Sequence, residues 1–434
     1  MSRAPDPSLP SRSFPASPHA PPAMHPDTQA VHAGRDDLRG LGVHAPPLDL
    51  STTYPFERLD DAVASLDAMM TGAAPGAGGP VYSRLHSPTV GRFEAGLAAL
   101  EGTEASVAFA SGMAAITAVV QACREEGRAH VVGVRPIYGT TDKLLSSGLL
   151  GTTVTWTDAA GVADAVRDDT CLVCIETPVN PTLDLVDVAA VAEAAGSVPV
   201  SVDSTFGTPV LQRPALLGAA YVVHSATKFL GGHGDVLAGV VACSEARAAR
   251  LRQVRILTGS VLHPLAAYLL HRGLPTLPLR VRRAEATATA LAARLSAHDG
   301  VGRVYHPSLA DSPLVGPDRQ MAGPGPMLAF EVLGPDGDAS GPGASAAASA
   351  FLQALQIATP AVSLGSTDTL AQHPAGLTQR VSTGDARASG GITDGLVRIS
   401  VGLEHADDLW DDLDRAITAG RSAAASSDRS RAGD

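Results

Sequence analysis

Short apolar runs recur along the first two-thirds of the chain, at residues 106–109, 130–134, 153–156, 171–175, 198–202, 221–223 and 238–242. Most are rich in Val, Ile and Ala, without the strict alternation of a half-exposed strand. Continuous apolar runs of this length fit strands buried on both faces, as in a parallel sheet. Helical patterns lie between several of them, over 114–124 and 186–195 among others. The alternation predicts an α/β domain, a mostly parallel sheet flanked by helices. From Pro275 the pattern changes. A long Ala/Arg/Leu helix over about 280–298 leads into a smaller α+β region, with apolar runs at 327–332 and 396–400 and a last helix near 406–419. The boundary between the two falls at Gly273–Pro275.

Composition narrows the function. Hydrophobic residues make up 45% of the 434 positions and charged residues 18%. That is ample for a large core and excludes a mainly disordered chain. A net charge of -12 argues against a nucleic-acid binder, which needs a basic face. Four cysteines are too few to staple a chain of this length. Cys171-Leu-Val-Cys174-Ile reads as a buried strand, and without a second CxxC no metal is expected. Residues 105–123 carry no charge, yet Ser106, Ser111, Gly112, Thr117 and Gln121 interrupt them. A strand, a turn and a helix fit that stretch better than a membrane span. The first 25 residues lack the apolar segment of a secretion signal. The expectation is a reduced, cytoplasmic protein. Residues 1–26 and 420–434 read as disordered tails, and Gly/Pro clusters predict loops at 72–80 and 334–347.

The most informative segment is Val222-Val-His-Ser-Ala-Thr-Lys-Phe-Leu-Gly-Gly-His-Gly-Asp235. A strand ends, then Ser225, Thr227 and Lys228 follow within four residues. Two hydroxyls can hydrogen-bond a phosphate, and a lysine can attack an aldehyde to form a Schiff base. A solvated lysine at a glycine turn would look similar. However, the chain has only two lysines, Lys143 and Lys228, among 32 basic residues. Upstream, Asp203 ends the apolar run Val200-Ser-Val-Asp203 at the carboxyl edge of the sheet, where α/β ligands bind. It could partner a pyridine nitrogen or simply cap a helix. Ala110-Ser111-Gly112-Met113 turns a strand into a helix and offers bare amides to a phosphate. Tyr138 follows another strand and could stack on a planar ring or move a proton. Asn180, in the polar turn Glu176-Thr-Pro-Val-Asn180-Pro181, could reach a phenolic oxygen of such a ring or simply form an Asn-Pro turn.

In order and spacing these pieces resemble the pyridoxal phosphate (PLP) dependent enzymes of cysteine and methionine metabolism, the trans-sulfuration family of fold type I. The likeness runs from Thr28-Gln-Ala-Val-His-Ala-Gly34 and Pro46-Pro-Leu-Asp-Leu-Ser-Thr-Thr-Tyr54 to Leu396-Val-Arg-Ile-Ser-Val-Gly-Leu-Glu404. It implies pyridoxal 5'-phosphate as cofactor, with Lys228 as the Schiff-base lysine, Asp203 as partner of the ring nitrogen and Tyr138 stacked on the ring. It implies that Gly112, Met113, Ser225 and Thr227 cradle the phosphate. Tyr82 and Arg84, in Tyr82-Ser-Arg84, would reach the cofactor of a neighbouring subunit. Arg398 would clamp the substrate carboxylate, with Ser363 and Asn180 beside it, the planar fork of arginine suiting that task. The domains implied are an arm over 27–81 that reaches the neighbour, a PLP-binding large domain over 82–273 and a small domain over 274–419. The assembly implied is a dimer of dimers acting on a small amino acid.

The sequence departs from the family pattern at a few places. Ser87-Pro88-Thr89 replaces Asn-Pro-Thr, and Asp203-Ser204-Thr205-Phe206 replaces Asp-Asn-Thr-Phe. Thr140 stands where methionine γ-lyases carry cysteine, which lowers that assignment. Asp368, in Ser363-Leu-Gly-Ser-Thr-Asp368, stands where enzymes that handle cystathionine carry Glu for the distal amino group. The resemblance points first to γ-elimination from cystathionine. Second comes γ-replacement on an O-acylated homoserine, then methionine γ-lyase or cystathionine β-lyase chemistry.

Overall fold

The computed structural model describes residues 24–76, 78–124, 127–377 and 390–431. Its larger sheet has strands β1 (Ala105–Phe109), β2 (His130–Val134), β3 (Thr153–Thr157), β4 (Thr170–Glu176), β5 (Val200–Asp203), β6 (Tyr221–His224) and β7 (Gly239–Cys243). Their order is β1-β7-β6-β5-β4-β2-β3. Strands β2 to β6 run parallel, and β7 lies antiparallel between β1 and β6. Burial on both faces explains the unbroken apolar runs of β1, β2, β4, β6 and β7. The run at 153–156, read as another buried strand, is instead the sheet's edge strand β3, exposed at Thr153 and only half-buried beyond it. In β4, Leu172 and Cys174 pack with helices Gly112–Cys123 and Glu245–Thr258, while Val173 and Ile175 pack with helix Val188–Ala195. The stretch 105–123 is β1, a turn and that first helix. Among the described residues, no helix is long and apolar enough to cross a membrane.

A second sheet follows, with β8 (Val301–Tyr305), β9 (Met327–Val332), β10 (Thr359–Pro360), β11 (Leu370–Gln372) and β12 (Leu396–Ser400) in the order β10-β11-β12-β9-β8. Helix Leu277–Leu295 joins the two parts. Its Leu277 and Val281 enter the core beneath the large sheet, and its Ala288, Leu291 and Leu295 enter that of the small sheet.

Three further expectations need correction. The tail read over 1–26 falls largely on residues 1–23, outside the described ones, and helix Pro26–His32 starts within it, with Pro at its first turn and Asp27 favouring the amino end. The loop read over 334–347 is half helix, because Gly341–Ala354 is helical and buries Ala344, Ala347, Ala348 and Phe351. The alanine face outweighs the glycines once a core lies beneath it. The last helix runs Ala406–Arg431, past the tail read from 420. Alanine and arginine are strong helix formers, and Ala424 is buried in the small-domain core.

Candidate active site at the carboxyl edge of the large sheet

Parallel pairing sets the site. In register, Glu176 of β4 faces Asp203 of β5, and Asp203 faces Val223 of β6. Two carboxylates therefore stand side by side on one face of the sheet, about one strand spacing, ~4.8 Å, apart along the backbone. Asp203 Oδ1 accepts hydrogen bonds from Thr205 N at 3.0 Å and Thr205 Oγ1 at 2.5 Å. The same Thr205 hydroxyl accepts from Ser225 N at 2.9 Å, tying the ends of β5 and β6 together. Burial pushes the Asp203 carboxyl up from its ordinary range, against the pull of the Thr205 hydrogen bonds. A cation at Oδ2 would reverse that shift.

Glu176 binds two loops. Its Oε2 accepts from Tyr138 N at 2.6 Å and its Oε1 from Asn180 N at 2.8 Å. Burial first, and the Asp203 charge second, push its carboxyl upward. Tyr138 sits just before helix Gly139–Ser146 with its side chain exposed. Asn180 turns its Oδ1 to Arg398 Nη1 at 2.8 Å.

Arg398 comes from the middle of β12 and is only 3% exposed. Its Nη2 donates to the Ser363 carbonyl at 2.7 Å, and its guanidinium lies 5.9 Å from the centre of the Phe206 ring. Burial lowers its pKa to about 10, so it remains charged at neutral pH. Ser363 holds a left-handed backbone, φ 90°, a conformation costly for a residue with a Cβ and typical of functional sites. Its Oγ accepts from Lys228 Nζ at 2.6 Å. Burial, and then the neighbouring Arg398 charge, lower the Lys228 amine to about 8. The large-domain lysine and the small-domain arginine thus meet on the two ends of Ser363.

Gly112 and Met113 open helix Gly112–Cys123, where the first N–H groups have no intrahelical acceptor. Ser111 caps the helix, its Oγ accepting from Ala114 N at 3.1 Å. A Cβ on Gly112 would lie 3.1 Å from Ser225 Cβ, so glycine lets the helix start press against Ser225. Thr227 faces the other way. Its hydroxyl accepts from Ala238 N at 3.0 Å and donates to Ala238 O at 3.1 Å. Tyr82 and Arg84 have their partners elsewhere: Arg84 donates to Ile256 O at 2.9 Å and lies over the half-exposed Tyr82 ring. Asp368 is exposed, its Oδ1 accepting from Ser366 Oγ. Glu176 and Thr205 had no role in the sequence reading. A glutamate closing an otherwise apolar strand was the signal for the first; the second was visible only once β5 and β6 were paired.

The sequence profile of the Cys/Met metabolism PLP-dependent enzymes matches residues 27–418. The chain belongs to that family. The L-methionine γ-lyase of Streptomyces avermitilis is 54% identical over 391 residues, 90% of this chain and 88% of that protein. Among solved structures, a cystathionine γ-synthase from Xanthomonas oryzae pv. oryzae, in complex with aminoacrylate and cysteine, superposes with TM-score 0.81 at 34% identity, over 92% of this chain and 99% of that one. A cystathionine γ-lyase from Micromonospora echinospora superposes with TM-score 0.78 at 36% identity, over 91% and 99%. The cofactor of this PLP-dependent enzyme is pyridoxal 5'-phosphate, and the residues present fit it. Lys228 offers an amine with a lowered pKa, Asp203 keeps Oδ2 clear of its Thr205 contacts, and the helix at Gly112 presents N–H groups to a phosphate.

Proposed function

We propose that this PLP-dependent enzyme is a carbon–sulfur lyase that eliminates methanethiol from the γ-carbon of L-methionine. Methionine and water would give methanethiol, 2-oxobutanoate and ammonia. The observation that carries the chemistry is the Lys228 amine, lowered to about 8 and held 2.6 Å from Ser363 Oγ beside the Arg398 guanidinium. A base that removes the Cα proton must be neutral, and this one loses its charge near working pH. The 54% identity to an L-methionine γ-lyase supports methionine over the alternatives. Thr140, exposed in the first turn of helix Gly139–Ser146, weighs less than that.

The cofactor, when bound, supplies the electron sink for the Cα carbanion. Asp203 would hold its ring nitrogen protonated. Gly112, Met113, Ser225 and Thr227 would hold its phosphate, Thr227 after releasing Ala238 O. Arg398 with Asn180 would grip the substrate carboxylate, and Lys228 would move the proton from Cα. Tyr138 or Lys228 would protonate the departing sulfur. Tyr82 and Arg84 of a second copy would complete the phosphate cradle, which makes a dimer the smallest complete enzyme and a dimer of dimers the proposed assembly.

A second reading is elimination from cystathionine. Asp368 favours it, because an exposed carboxylate on the segment that carries Ser363 could meet a distal ammonium. Incubating PLP-loaded enzyme with each amino acid separates the readings. Methanethiol and 2-oxobutanoate from methionine support the proposal. Cysteine and 2-oxobutanoate from cystathionine, with methionine untouched, favour the second reading. A yellow protein inert to both points to γ-replacement on acylated homoserine, tested with cysteine or sulfide as acceptor.

A further inference from the structure

We infer that Glu176 is a positioning residue, whose one carboxylate sets both the Tyr138 and the Asn180 side chains. The inference rests on the reading that Tyr138 stacks on the cofactor and Asn180 serves the Arg398 clamp. Glu176 is 5% exposed and closes β4 beside Asp203. A second buried carboxylate next to the first is electrostatically costly. What it does in return is specific. One oxygen accepts the N–H of Tyr138 at 2.6 Å, the other the N–H of Asn180 at 2.8 Å. These residues belong to different loops, one after β2 and the other after β4. In each case the bound N–H belongs to the very residue whose side chain faces the site, so the contact fixes that residue's Cα directly.

A carboxyl group offers an acceptor oxygen to each N–H, and as the carboxylate it is all acceptor. Glutamine would bring one acceptor and one NH2 group, and the NH2 would oppose one of the two backbone N–H groups. Burial and the Asp203 charge push the Glu176 carboxyl up to about 8, against the two backbone N–H groups and the Arg398 charge, which favour the carboxylate. Arg398 is itself bonded to Asn180 Oδ1 at 2.8 Å. Glu176, Asn180 and Arg398 thus form a chain from the ring-stacking loop to the carboxylate clamp.

The test compares wild type with Glu176→Gln and Glu176→Asp as PLP-loaded holoenzymes. A displacement of about 1 Å at a reacting centre costs on the order of a hundredfold in rate. Glu176→Gln should therefore raise KM about tenfold, lower kcat about tenfold and alter the visible circular dichroism of the bound cofactor, with PLP still loaded. Glu176→Asp keeps the charge but shortens the reach, and should recover part of both losses. The dichroism needs no substrate. If wild type proves inert to methionine, the substrate reading falls and the dichroism still decides Glu176. A Glu176→Gln band superimposable on wild type, with KM and kcat within twofold, overturns the inference. If Glu176→Gln does not fold, Glu176→Asp carries the test: it folds with altered dichroism and kinetics, or the inference fails.

Discussion

Replacing Arg398 by alanine removes a buried fork held on both sides, Nη1 on Asn180 Oδ1 and Nη2 on the Ser363 carbonyl. Those two acceptors set the plane of the guanidinium before any substrate arrives, so little ordering remains to be done on binding. Charge-assisted hydrogen bonds contribute about 1.5–3 kcal/mol each. A bidentate grip on the substrate carboxylate therefore amounts to about 3–6 kcal/mol. With 1.4 kcal/mol to each factor of ten, KM should rise at least about a hundredfold. The same truncation strands Asn180 Oδ1 and the Ser363 carbonyl, at about 1–3 kcal/mol each in stability. The assay must therefore run well below the lowered melting temperature. Keto acid release would be followed against substrate concentration, with the visible absorbance of the cofactor recorded in parallel. Arg398→Lys keeps a charge without the fork and should fall between wild type and alanine. If KM stays within threefold in both variants while the cofactor spectrum is unchanged, Arg398 only supports the architecture and the clamp lies elsewhere.

Two further predictions follow the same geometry. Lys228→Ala should abolish turnover, and substantial residual activity would make Lys143 or another group the anchor. His306 is buried, with Nε2 donating to Gly325 O at 3.1 Å, and burial lowers its imidazole to about 4 from the ordinary 6.5. Between those values the unfolded chain binds a proton that the folded chain refuses, so stability falls as pH drops from 6.5 to 4. The full contribution is about 3 kcal/mol, present above pH 6.5. Denaturant unfolding at pH 8 and pH 5 should show a smaller acid loss in His306→Asn than in wild type; an equal loss would sink the assignment.

The limits of the sequence lie where a residue's meaning depends on a strand neighbour. Lys228 and Asp203 were legible because each closes or follows an apolar run, and the end of a run in an α/β sheet is already a place. Arg398 was legible by resemblance, since nothing in the local run Leu396-Val-Arg-Ile-Ser says that its side chain is buried. The helix Gly341–Ala354 was hidden because glycine and proline signal a turn locally, while the core beneath Ala344 and Phe351 is built by strands and two helices elsewhere in the chain. Thr227 was assigned to a phosphate from its spacing to Lys228, yet the antiparallel return of β7 places Ala238 where that hydroxyl can bond it twice. Glu176 is the sharpest case. In sequence it is one acidic residue before a proline turn. Parallel pairing sets it beside Asp203, and two loops then supply the N–H groups that give its carboxyl group a reason to be there. A buried charge that terminates a strand is a question that only the neighbouring strands answer.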